Sequence, residues 1–201
     1  MALNFANNNS LSAITTLPAS ISGGAMTLIS EQTASSSATL DFTSGIDSTY
    51  DSYVFKFINI HPATDDVSFT FNMSTDGGSN YNVTKTTTIF TALHNESDSE
   101  AFITYAGGQD LAQSTAFQEL APRTGGDADQ NSSGTLTLFN PSSTTFVKHF
   151  IVNFNSVPYN DFNRNDFIAG YGNTTSSIDA IRFQMSSGNI DSGVIKLYGI
   201  S

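Results

Sequence analysis

Apolar residues in this chain recur at every second position, in runs too short to make the face of a helix. Val67, Phe69, Phe71 and Met73 alternate with Ser68, Thr70, Asn72 and Ser74, the pattern of a strand with one face turned to a core. Ala38, Leu40 and Phe42 alternate in the same way with Thr39 and Asp41, while Tyr53, Phe55 and Phe57 alternate with Val54, Lys56 and Ile58, apolar on both faces for part of the length. Further strands are expected over 81–93, 101–105, 117–120, 135–139, 146–154, 167–171, 180–185 and 193–200. Phe146, Phe150, Val152 and Phe154 fall on one face of their strand. The segment Thr75 to Asn80 contains Gly77-Gly78 and is predicted to be a hairpin turn, since glycine takes a positive φ without steric cost. Polar loops are expected over 121–134 and 155–165. With nine to eleven short strands and no stretch of 3.6 periodicity, the predicted fold is all-β: a two-sheet antiparallel sandwich of jelly-roll type.

Composition supports this from another side. Ser (28), Thr (24) and Asn (18) supply 70 of 201 residues, and all three are middling or poor helix formers. Charged residues make up 12%, against about 25% in an ordinary soluble domain. Sixteen Phe provide for a sizeable core. No repeat of fixed period points to a solenoid or propeller.

Charge and cysteine content narrow the partners. Seven Lys+Arg stand against 18 Asp+Glu, a net charge of -11, and the first cation along the chain is Lys56. Phosphate backbones are bound by clustered cations, so no nucleic acid partner is expected. There is no Cys, which removes disulfides, thiolate metal sites and thiol catalysis together. No segment has the roughly 20 apolar residues of a membrane span, and no Sec-type leader is recognisable at the N-terminus, so no membrane role is expected. Residues 1–24 differ from the rest: Leu11, Ile14, Leu17 and Ile21 are spaced irregularly among Ser, Thr and Ala, with Pro18 and Gly23-Gly24 near the end. This stretch is read as an extended N-terminal arm that binds a partner, preceding a sandwich domain over 25–201. The alternative is a loose terminal tail.

Three stretches carry a resemblance: residues 41–65, Ser74-Thr75-Asp76-Gly77-Gly78-Ser79-Asn80-Tyr81, and the ending from Met185 through Gly188-Asn189-Ile190-Asp191-Ser192-Gly193 to Leu197-Tyr198-Gly199-Ile200. Together they resemble a family of virion structural proteins of tailed bacteriophages, common in marine phages, and Asn140-Pro141-Ser142-Ser143 also fits. The resemblance implies a non-enzymatic virion protein, made in the host bacterial cytoplasm, that meets other virion proteins as a homo-oligomer, a trimer being favoured. A head decoration or cement role comes first; a tail or fibre appendage with a receptor- or glycan-binding sandwich is the alternative. The resemblance brings no catalytic residues and no cofactor.

His61, His94 and His149 lack the i+2 or i+4 partner of a local zinc site. No Gly-x-Ser-x-Gly elbow or phosphate loop is present. Asp65-Asp66, Asp127 with Asp129, and Asp161 with Asp166 are the carboxylate pairs to weigh for glycoside hydrolysis, and solvated loop charge accounts for each. Asp127, Asp129 and Asn131 open like an oxygen-ligand Ca²⁺ loop, but Ser132 stands where a Gly is wanted and no closing Glu follows; a plain Asx-rich loop is the competing reading. Tyr105, Tyr159 and Tyr171 lie in or beside loops and could stack on a sugar ring, although there is no Trp.

Overall fold

A computed structural model of the protein describes residues 26–201. The arm over 1–24, with Leu11, Ile14, Leu17 and Ile21, lies outside the described residues. Among the described residues every regular element is a strand: β1 (Thr27–Ser37), β2 (Leu40–Phe42), β3 (Ser52–Pro62), β4 (Val67–Ser74), β5 (Lys85–Asn95), β6 (Ala101–Tyr105), β7 (Gln118–Thr124), β8 (Ser132–Phe139), β9 (Lys148–Ser156), β10 (Phe162–Gly172), β11 (Ala180–Met185) and β12 (Ile190–Ile200). They form the expected antiparallel two-sheet sandwich. The larger sheet has eight strands in the order β1-β12-β3-β8-β9-β10-β5-β6, and the smaller has four in the order β2-β11-β4-β7.

Eight strands nest about one another. β1 pairs with β12 and β2 with β11; β3 lies between β12 and β8, and β4 between β11 and β7. The hairpins β5–β6 and β9–β10 are additions, and both extend the larger sheet beyond β8. β12 is interior, with β1 on one side and β3 on the other.

The core between the sheets is aromatic. Phe42, Phe55, Phe57, Phe69, Phe71, Phe150, Phe154 and Phe183 are all buried. Phe183 is the hub, with ring centroids of Phe57 at 5.0 Å, Phe55 at 5.2 Å, Phe69 at 5.9 Å, Phe42 at 6.0 Å and Phe71 at 6.4 Å. Most of these contacts are edge-on, the arrangement favoured by the ring quadrupole. Strands β3 and β4 deliver their rings on the period of two read from the sequence.

Some local expectations change. Thr75 to Asn80 is a turn but not a hairpin, because β4 belongs to the smaller sheet and β5 to the larger. Gly77 (φ 70°) and Gly78 (φ 84°) supply the left-handed backbone. Asp76 Oδ1 accepts from Asn80 N (2.8 Å) and Ser74 Oγ from Gly78 N (3.0 Å). Such bonds fix a reversal of direction, and leave open which sheet the next strand joins. The loop expected over 121–134 shrinks to 125–131, because β7 runs on to Thr124. The loop expected over 155–165 shrinks to 157–161. Phe146 precedes β9 and is 68% exposed, and Lys148 takes the inward position instead. β1 had no hydrophobic alternation to announce it; it forms because β12 offers an unpaired edge.

Candidate functional site

The inner face of the larger sheet changes character across its width. Under the smaller sheet it is aromatic, whereas β5 and β10 turn Lys85, Thr87, Thr91, Arg164 and Asp166 inward, all buried. Residues 106–117 cover this half, pinned along β5 by Thr87 N to Leu111 O (2.8 Å) and Lys85 N to Ser114 O (2.8 Å). Arg164 Nε donates to both Asp166 oxygens (3.0 and 2.9 Å), Thr91 Oγ1 donates to Asp166 Oδ1 (2.5 Å), and Arg164 Nη2 reaches Gln109 Oε1 (2.8 Å). Asp166 is therefore a strand residue and not part of a loop with Asp161, and its oxygens are already engaged. Burial raises the Glu119 carboxyl above its ordinary range. Lys85 has no exposed surface; its Nζ donates to Asn72 Oδ1 (2.5 Å) and Val83 O (2.8 Å), and burial pushes its pKa down to about 7. A neutral amine has two N–H groups, enough for both acceptors. Lys148 Nζ likewise donates to Phe146 O (2.7 Å), and burial lowers its pKa as well. Lys85, Lys148, Arg164 and Asp166 are thus each engaged by partners within the sandwich.

The outer face of the same sheet carries the more unusual surface. Strand register sets Tyr105, Phe90 and Phe167 side by side across β6, β5 and β10. The rings of Phe90 and Phe167 stack with centroids 4.8 Å apart and planes 10° from parallel, and both remain exposed. Two positions along β10, Ala169 lies between Ile151 of β9 and Thr88 of β5. Its small side chain floors a concavity of about 470 Å³ bordered by Phe139, His149, Ile151 and Tyr171. A second concavity of about 500 Å³ shares Phe139 and His149 and takes in Phe146. Scattered surface Leu or Phe is ordinary; here exposed apolar side chains fall in adjoining rows of one face.

The residues singled out from the sequence are dispersed. Tyr105 and Tyr171 share the outer face, since their partners on β5, Phe90 and Thr86, have the same parity. Tyr105 Oη donates to Asp110 (2.5 Å), and Tyr171 packs on His149 with centroids 6.0 Å apart. Tyr159 lies elsewhere, beneath the Arg123 guanidinium at 4.4 Å. Asp127 and Asp129 are in one loop with Asn131. The Asp127 carbonyl accepts from Gln130 N (2.9 Å) and His61 Nε2 (3.1 Å), which makes a closed turn. Among the described residues no group of three or more His, Cys, Asp or Glu is arranged to hold a metal ion. Beside this loop Asn59, His61, Gln130, Asn131, Asp191 and Ser192 line a polar concavity of about 430 Å³. Asp66 is held by Arg123 (2.9 Å), which keeps its carboxyl below the usual range, and Asp65 accepts from Gly126 N. His94 pairs with Asp98 (3.0 Å) in the β5–β6 turn.

Every cation is accounted for inside the fold. Arg123, Arg164, Arg182 and Lys196 pair with Asp66, Asp166, Asp41 and Glu31; Lys85 and Lys148 are buried; Lys56 lies over the Tyr198 ring at 5.6 Å. Comparison with family models, curated proteins and solved structures returned no match for the chain. The exposed Phe90, Ile151 and Phe167 in two adjoining rows were not legible in the sequence, because alternation separates two faces without saying which is covered. The one available signal was that Phe90 and Phe167 each adjoin an Ile of opposite parity, Ile89 and Ile168, so that both faces of these strands are apolar.

Proposed function

We propose that this is a non-enzymatic structural protein of a tailed-bacteriophage particle, assembling as an oligomer, with head decoration or cement as its first role. The observation that carries this is the uncharged outer strip from Phe139 through Ile151 to Phe167, Phe90 and Tyr105. A strip of this kind is worth about 25 cal/mol for each Å² of apolar area taken out of water, and does nothing for a solitary molecule. The nested pairing of β1, β2, β3 and β4 with β12, β11, β8 and β7 supports a jelly-roll reading of the central eight strands, an architecture used in capsid and lectin domains. Residues 1–24 then serve as an attaching arm. The test compares the full chain with a variant lacking residues 2–24, measuring occupancy on purified particles by immunogold labelling and melting temperature together. Loss of label from the head at unchanged melting temperature is expected. Label that never associates with particles, for the full chain, overturns the reading.

The second reading, a tail or fibre appendage with a glycan-binding domain, is favoured by the polar concavity lined by Asn59, Asn131 and Asp191, whose donors and acceptors suit sugar hydroxyls. Label on the tail, with binding to host surface polysaccharide that is lost in Asp191→Ala, would support it over the head role.

A further inference from the structure

The described residues contain four sheet edges, and three are blunted by devices that stop strands adding to them. β1 is polar, has an irregularity between Leu28 and Ser30, and carries Glu31 in an ion pair with Lys196. β2 is three residues long. β7 contains Pro122 and Arg123, and its register with β4 shifts twice. β6 has none of these. It is Ala-Phe-Ile-Thr-Tyr, regular in its pairing from Ala101 to Tyr105, uncharged, and exposed at every position, with Ile103 75% exposed.

Its backbone direction follows from its two ends. Asn95 N donates to Glu100 O, and Ala106 N donates to Ile89 O. Positions 100 and 106 thus face β5, and by alternation so do 102 and 104. The N–H and C=O groups of Ala101, Ile103 and Tyr105 therefore point to the open side. We propose that this edge pairs with β6 of a second copy, antiparallel and centred on Ile103, joining the two larger sheets into one. This deepens the assembly reading above and rests on it.

The occupant is a second copy because the strand is complementary to itself in that register. Ile103 meets its own counterpart in an apolar pair at the axis, Ala101 meets Tyr105, and Phe102 meets Thr104, so that on either side of the axis a large side chain lies beside a smaller one. All three pairs with outward groups fall in hydrogen-bonding register, giving about six main-chain bonds across a two-fold axis. The chain carries a net charge of -11, which opposes self-association in general, yet β6 and the adjoining Phe90, Ala92 and Phe167 are uncharged, and the carboxylates nearest in the chain, Glu100 and the Tyr105-bound Asp110, belong to the two ends of the strand and not to its centre at Ile103. The Phe90–Phe167 stack then continues across the axis on the outer face.

The test exploits a chain without cysteine. Ile103→Cys places two thiols at opposite positions of a hydrogen-bonded pair, about 5.5 Å apart between Cα atoms and within disulfide reach. Mild oxidation of the full chain should give a covalent dimer, whereas Ile58→Cys, exposed on β3, should cross-link at least tenfold less. Light scattering of Ile103→Pro should show loss of the dimer with the melting transition of the sandwich retained. Proline there removes an outward N–H and leaves the ladder to β5 intact. Equal cross-linking of the two cysteine variants overturns the proposal. An oligomer that survives Ile103→Pro sinks the β6 seam and leaves the assembly reading standing, whereas a chain monomeric at all concentrations removes both.

Discussion

Replacing Lys85 by Met should stabilise the protein at low pH and progressively less as pH rises. The amine is enclosed between the sheets with no carboxylate beside it, and burial lowers its pKa from 10.5 to about 7. The folded state therefore disfavours the proton that the unfolded chain holds up to 10.5. Between about pH 7 and 10.5 the unfolded state binds more protons, so stability rises with pH across that window and is flat below it. The span 10.5 − 7 = 3.5 corresponds to about 5 kcal/mol at roughly 1.4 kcal/mol per pKa unit, the full penalty being present at pH 6 and below. From pH 6 to pH 9 the wild type should recover roughly 2–3 kcal/mol of it, since the folded-state amine is neutral by pH 9 and the unfolded one still charged. Lys85→Met removes a donor from Val83 O, which costs about 1–3 kcal/mol; Asn72 Oδ1 still accepts from Met73 N (2.8 Å). That cost offsets the gain equally at every pH, because a carbonyl does not titrate. Urea melts of both proteins at pH 6 and pH 9, followed by circular dichroism at one protein concentration, measure the difference directly. The stability gap between variant and wild type should narrow by roughly 2–3 kcal/mol from pH 6 to pH 9. Parallel behaviour of the two proteins would mean that the amine stays charged in the fold, and would refute the argument.

Two further substitutions probe the two kinds of interior. Phe183→Ala takes away the ring around which Phe55, Phe57 and Phe69 pack, and should cost about 3–5 kcal/mol in denaturant melts; a loss below about 1 kcal/mol would show that the core closes over the gap. Arg164→Met leaves the Asp166 carboxylate buried without its counter-charge and should destabilise by about 3–5 kcal/mol, whereas Arg164→Met with Asp166→Leu should recover most of that. Failure of the double variant to recover would place the value of Arg164 in its bond to Gln109 and not in the ion pair.

The alternation of Val67 to Ser74 and of Tyr53 to Phe57 made the strands legible, because a period of two is a property of the extended backbone itself. The same holds for Ala180–Met185, whose limits match β11, and for Ala101–Tyr105, which matches β6. Turn chemistry placed the reversal at Gly77-Gly78 for a similarly local reason: positive φ is decided residue by residue. What stayed hidden was everything that depends on a partner. β1 is a strand only because β12 offers it an edge, and β4 and β5 separate into different sheets although the turn between them would serve a hairpin. Asp166 reads with Asp161 as loop charge in the sequence, and is enclosed with Arg164 because residues 106–117 fold over β10 and β5. Phe90, Ile151 and Phe167 have the composition of core and lie outside it, since their parity turns them to the outer face of the larger sheet while Ile89, Val152 and Ile168 face inward. The sequence by itself determined an all-β chain with an aromatic core, because strand periodicity and Phe content are written locally. The tertiary structure alone decided which apolar face is buried and which edge is left open, because both follow from which strands pair and which side of the larger sheet meets the smaller one, and those contacts join segments far apart in the chain.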